Sequence, residues 1–202
     1  PGAYLRAAQN PKQFKIPFPF EASDLEGYLL PDTYMVPPGK VDVARLIQRQ
    51  IDGFNERYYV PNQGEIKRGK RSLRDIVIVA SMLEREEPTP EMRPQVAGIM
   101  YKRLDKNTPL GVDATSRYKL VDWNDRKGFL KALRDQDDAY NTRERAGLPF
   151  GPIGAPGIPS LVAALRPVES AYWYYLHDSD RHIHFSKTAN EHDANRKKYN
   201  VY

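Results

Sequence analysis

The sequence contains no cysteine among its 202 residues. That absence excludes disulfides, thiolate nucleophiles and zinc–cysteine sites together. It fits any redox compartment, because an oxidising one permits disulfides without requiring them. Long apolar runs are missing too, and none approaches the roughly 20 residues that a membrane-spanning helix needs. Excess charge is small: 31 Lys and Arg stand against 26 Asp and Glu, a net charge of +5. Such a balance permits nucleic acid, an anionic glycan or a membrane surface as partner and selects none. The chain opens on Pro1 with neither Met nor signal segment, and so reads as a fragment of something longer. What is present is core material: 40 % of the residues are hydrophobic, with Tyr 13, Phe 7 and Trp 2. That excludes wholesale disorder and suits one moderate domain or two small ones.

Proline and aromatic residues crowd positions 1–38, where long regular helix is not expected. A short strand is expected at 29–36, interrupted by Pro31. Helical spacing begins at Val43, with Asp42 as N-cap, and fades at 58–61 into a polar loop over 62–70. Ser72 and Asp75 form a capping pair for a helix over 73–86 that is apolar nearly all round, and therefore buried. Pro88 ends it. Thr89 is expected to cap a further helix running from Pro90 to about Leu104. The stretch 147–159 is too rich in Gly and Pro for regular structure, and 160–166 reads as a short helix. Two β-prone runs, 172–177 and 182–186, read as a hairpin. Thr188 and Glu191 make a capping box for a last helix to about Tyr199. The expected class is α+β, mostly helical, with short antiparallel strands and a C-terminal hairpin.

Glu84 is the carboxylate that looks out of place. It lies on the stripe of Leu73, Val77 and Ala80. Burial would raise its pKa, which suits a general acid working near neutrality, and Glu87 would add a like charge. The plainer alternative is that the helix emerges into solvent here, with Glu84 paired to Lys102 or Arg103. The sequences 112–115 and 139–142 join small polar residues to aromatics, as a sugar site requires. Asp113 and Asn141 are equally the residues of turns and caps. A basic cluster at Lys67, Arg68, Lys70 and Arg71 comes with no nucleic-acid-binding motif. His182 and His184 alternate onto one strand face with His177 across the hairpin, a weak pattern for a metal.

Several of these segments, in this order, resemble the endolytic murein transglycosylase family, also called YceG-like or MltG-like. LEGYLLPDTY at 25–34 is similar to EGYLFPDTY. ASMLERE at 80–86 resembles a helix of the form AS, two hydrophobic residues, then EKE. RPQVAGIMYKRL at 93–104, LGVDATSRY at 110–118 and YNTRERAGLPFGPIGAPG at 140–157 are similar to RPKVAGVFYNRL, LQSDPTVIY and YNTY…GLPPGPIANPG. His184-Phe185-Ser186 and Glu191-His192 resemble the closing HTFS…EHN pattern. Ala114, in the 110–118 segment, and Phe150 and Ala155, in the 140–157 segment, depart from the family patterns.

The resemblance implies a lytic transglycosylase of peptidoglycan, cleaving the MurNAc-β-1,4-GlcNAc bond to leave 1,6-anhydro ends without cofactor or metal. It places the catalytic glutamate on Glu84. Asp113, Thr115, Tyr118, Tyr140, Asn141 and Thr142 are then candidates for gripping sugar, with Gly147, Pro149 and Gly151 in a wall of the cleft. The role of Glu26 is left open. A non-catalytic peptidoglycan-binding module of the same fold is the alternative. Residues 25–202 are expected to be the catalytic domain and 1–24 a remnant or linker from a preceding, LysM-like subdomain. The family implies an extracytoplasmic (periplasmic) location at the bacterial inner membrane. The anchor would lie in a segment absent from this chain, and penicillin-binding proteins are the implied neighbours. Nucleic acid is not an expected partner.

Overall fold

The structure is a computed structural model that describes residues 2–39 and 41–201. Helix α1 (Gly2–Ala8) and a short 3-10 turn lead into an irregular segment. The amide of Leu25 returns to the carbonyl of Ala8, and Tyr4 reaches Gln50 of α2, so this segment packs on α2 (Val43–Phe54). Asp42 caps α2 as expected, accepting from the amide of Arg45. Ile47, Ile51 and Phe54 form its buried stripe.

Two expectations fail on either side of α2. No strand forms over 29–36. Pro31, Pro37 and Pro38 remove donors a ladder would need, and Leu29 and Leu30 turn into the core instead. The polar loop expected over 62–70 is helical. A π-turn at Asn55–Tyr59 passes into α3 (Val60–Arg68), with Pro61 in the first turn where no N–H is missed. The π-turn lets Tyr58 and Tyr59 both face inward, and this burial outweighs the polar composition that follows.

Helix α4 (Leu73–Glu86) is the axis of the molecule. Its capping box is complete: Ser72 accepts from the amide of Asp75, and Asp75 accepts from the amide of Ser72. Every residue from Ile76 to Leu83 is buried. A 3-10 turn at Pro90–Met92 precedes α5 (Arg93–Asp105), and the Thr89 hydroxyl does not cap it. Two short helices follow, α6 (Asp113–Arg117) and α7 (Arg126–Ala132). Helix α8 (Ile158–Leu165) packs along α4. Strands β1 (Tyr174–His177) and β2 (Ile183–Ser186) form the antiparallel hairpin, with Tyr175 opposite Phe185 and Leu176 opposite His184. Helix α9 (Ala189–Lys198) closes the chain, capped by Thr188.

The Gly/Pro stretch is irregular from 147 to 157, yet its path is fixed. Arg74 donates to the Phe150 carbonyl. Ser81 accepts from the Ile153 amide at 3.0 Å, and Glu84 from the Gly157 amide at 3.1 Å. Those α4 residues share one face at helical spacing, so the loop is splinted along the helix. Gly27 fits between the two. It has φ +84°, and a Cβ there would lie 2.6 Å from Val77 Cγ1 and 2.7 Å from Pro152.

Candidate active site

The last turn of α4 and its C-cap, Glu87, send four consecutive side chains in four directions. Glu84 faces α8, where its Oε2 accepts from Ser160 Oγ at 2.7 Å, the Gly157 amide at 3.1 Å and Arg93 Nη1 at 3.4 Å. Gly157 is the N-cap of α8, so this carboxylate sits where the helix dipole favours an anion. Arg93 is itself buried and also donates to Ser160 Oγ and to the Glu87 carbonyl. Glu84 is therefore not the buried carboxyl its stripe suggests. Its side chain is 36 % exposed, and its partner is Arg93 rather than Lys102 or Arg103. Those two cations donate instead to carbonyls of residues 170–173.

Arg85 turns outward over the Trp123 ring. Glu87 is 1 % exposed and meets His177 Nε2 at 3.0 Å. Glu86 points the other way from Glu84, into a polar hollow of about 400 Å³ between α6, β1 and α9. The Tyr175 hydroxyl donates to one of its oxygens at 3.3 Å, and the Ala114 amide to the other at 3.4 Å. Burial raises the pKa of Glu86 above its ordinary value, and the neighbouring Asp113 pushes the same way. Tyr175 is driven upward by the same burial and stays a donor. Asp113 is held by Arg143, whose Nε donates at 2.9 Å. Arg103 and His192 line the hollow as well, and Arg103 Nε and His192 Nδ1 have no hydrogen-bond partner among the described residues.

The other expected site residues fall into four places. Asp113 shares the hollow with Glu86. Tyr118, Tyr140 and Gly151 line a second hollow beyond α6, together with Glu26. Thr115, Asn141 and Thr142 are buried in the seam between the loops. Thr115 and Thr142 bond to each other at 3.0 Å, and Asn141 Nδ2 donates to the carbonyls of Ala132, Leu133 and Asp135. Direct contact with sugar is thus closed to these three, and their work is to fix the loops. Gly147, at φ +99°, and the buried Pro149 begin the splinted stretch. Sequence reasoning passed over Glu86. Because α4 is buried all round, periodicity alone puts every carboxylate of its last turn on some buried stripe. The histidines do not converge: His177 turns to Glu87, whereas His184 and His182 turn to Asp178.

The YceG-like family's sequence profile matches residues 4–198. The chain belongs to the YceG-like family. It is 34 % identical over 175 residues to the endolytic murein transglycosylase of Bacillus subtilis, an alignment covering 87 % of this chain and 48 % of that protein. A protein of the same name from Streptococcus pneumoniae is 23 % identical over 175 residues, covering 85 % and 31 %. The chain thus spans about half, or less, of the curated relatives it matches. A crystal structure of a YceG-like protein from Listeria monocytogenes superposes with a TM-score of 0.77 at 29 % identity, over 96 % of this chain and 62 % of that one. The mostly helical architecture with a C-terminal hairpin is therefore this YceG-like family's own.

Proposed function

We propose that this YceG-like chain is the catalytic part of a peptidoglycan lytic transglycosylase, with Glu86 as its acid and base. The observation that carries the reading is the Glu86 carboxyl itself. It is withdrawn into a polar hollow, crowded by Asp113, and steadied by only two long hydrogen bonds. A carboxyl so held keeps its proton to higher pH, as a general acid needs. Glu84, by contrast, has an oxygen taken up by three donors at the start of α8.

In the proposed reaction Glu86 protonates the oxygen of the MurNAc-β-1,4-GlcNAc bond, and that bond breaks. Positive charge develops at the anomeric carbon, as in glycoside hydrolysis. Glu86, now ionised, takes the proton from the C6 hydroxyl of the same MurNAc. The C6 oxygen bonds to the anomeric carbon and closes the 1,6-anhydro ring. No water is consumed, and Glu86 ends protonated, as it began. The Tyr175 hydroxyl steadies the carboxylate between the two transfers, and Arg143 holds Asp113 in place.

The experiment is a paired substitution assayed on polymeric glycan strands, with products weighed by mass spectrometry. Glu86→Gln is expected to lose turnover by about 10²-fold or more, the usual share of a general acid–base. Glu84→Gln is expected to keep most of it. The reverse order would return the acid role to Glu84. Products one water heavier than anhydro ends would make the enzyme a hydrolase. Retained activity in both variants would place the acid on neither glutamate, and no turnover by the unsubstituted protein would leave only a binding module.

By the same reading, residues 25–202 are the catalytic domain and residues 1–24 an extension from a preceding subdomain. The protein would work outside the cytoplasmic membrane, near wall-synthesis enzymes such as penicillin-binding proteins. No helix among the described residues is long and apolar enough to cross a membrane, so an anchor would belong to another segment.

A further inference from the structure

Beyond α6 from Glu86 lies the second hollow, of about 610 Å³. Its walls combine two chemistries. Glu21, Asp24 and Glu26 supply carboxylates, and Tyr118, Tyr140 and Phe150 supply ring faces. The rings adjoin one another, with centroids 4.8 Å apart for Tyr118 and Tyr140 and 6.3 Å for Tyr140 and Phe150. Phe150 is 60 % exposed at the rim. Arg74 is the one cation in the lining among the described residues, one positive charge against three acids, and it is held in place by a bond to the Phe150 carbonyl. A chain of net charge +5 has thus gathered three acids around one hollow with little to neutralise them.

A second observation is independent of those acids. Tyr28 is wholly buried, lines this hollow, and has a hydroxyl without any hydrogen-bond partner among the described residues. That hydroxyl lies within electrostatic reach of Arg74, Glu21 and Asp24, residues of the same lining. A buried hydroxyl left unpaired is costly, and a donor reaching it from the hollow would remove that cost. Burial and the adjoining Asp24 also raise the Glu26 pKa, opposed by a hydrogen bond from the Tyr118 hydroxyl and by Arg85 from outside the hollow.

We propose that this hollow is a recognition site for a primary ammonium group. An ammonium offers three donors and one positive charge, matching the carboxylates and the Tyr28 oxygen. Its alkyl stem lies against the ring faces, where cation–π attraction adds to the ion pairing. Resting on the peptidoglycan reading above, the source is the free amine of the diamino acid in the peptide stem. The site would then select strands whose stems are uncapped there.

The test measures binding calorimetrically to the Glu86→Gln protein, so turnover does not enter and failure of the catalytic assignment leaves the result readable. The probes are a synthetic stem pentapeptide with lysine at its third position, its Nε-acetyl form, cadaverine, and the peptide-free disaccharide. Acetylation is expected to weaken the pentapeptide about tenfold or more. Adding Glu26→Gln should weaken it comparably, and Tyr28→Phe by about threefold. Equal binding of the acetylated peptide would overturn the proposal, as would indifference to Glu26→Gln and Tyr28→Phe. Disaccharide binding that depends on Glu26 would make the hollow a sugar subsite instead. Cadaverine binding as tight as the pentapeptide would overturn the stem as the source.

Discussion

Replacing Gly27 by alanine should loosen the joint on which the site's wall rests. Gly27 has φ +84°, where an L-residue loses about 1–2 kcal/mol. The new Cβ would stand 2.6 Å from Val77 Cγ1 and 2.7–2.8 Å from two atoms of Pro152. Real Cβ atoms do not approach so closely, and neither neighbour is free to yield: Val77 is wholly buried in α4, and Pro152 is a ring in the splinted loop. Overpacking of this kind costs about 1–3 kcal/mol. The two effects together give about 2–5 kcal/mol, which in a domain of this size lowers the Tm by roughly 4–20 °C. Gly147→Ala is the control, since it has φ +99° and nothing within 4 Å of its Cβ. It carries the strain without the clash. Both variants are melted by circular dichroism and unfolded in urea. Equal losses in the two, or a Gly27→Ala shift under about 2 °C, would refute the reasoning.

Two further outcomes follow from the same geometry. The raised Glu86 pKa means the folded protein binds that proton more tightly than the unfolded chain does. The stability it contributes is full below the unfolded value and lost as pH rises through the folded one. Glu86→Gln should therefore gain in Tm relative to the parent as pH rises from about 4 to 7, and a gap that stays constant would contradict the assignment. Arg93→Met removes donors to Glu84, Ser160 and the Glu87 carbonyl from a buried site. It should cost about 2–4 kcal/mol in urea unfolding, with the Glu84 pair contributing least because that carboxylate is partly exposed and the contact is long. A loss below about 1 kcal/mol would show that α8 is held by other means.

Local chemistry was legible wherever it acted over a few residues. The Ser72–Asp75 box, the Asp42 cap, the bounds of α4 and the hairpin all follow from sequence spacing and are all present. The misses were long-range. Tyr58 and Tyr59 carry the chain through a π-turn that no local pattern announces, because their burial depends on partners far along the sequence. The site was half legible for the same reason. Asp113 could be picked out by type, but its company with Glu86, Arg143 and Tyr175 needs four distant segments to meet. Asn141 shows the opposite error. A polar residue in a polar motif was read as a ligand group, whereas its amide is used up on three carbonyls.

The splint that ties residues 150–157 to α4 is made almost entirely of backbone atoms on the loop's side. Arg74, Ser81 and Glu84 grip a carbonyl and two amides, groups that every residue type except proline possesses. The loop's course is thereby uncoupled from the side chains it turns to solvent, among them Phe150 and Ala155, two of the positions where this chain departs from the motif it resembles. Such a surface can change its chemistry by single substitutions while its shape stays put.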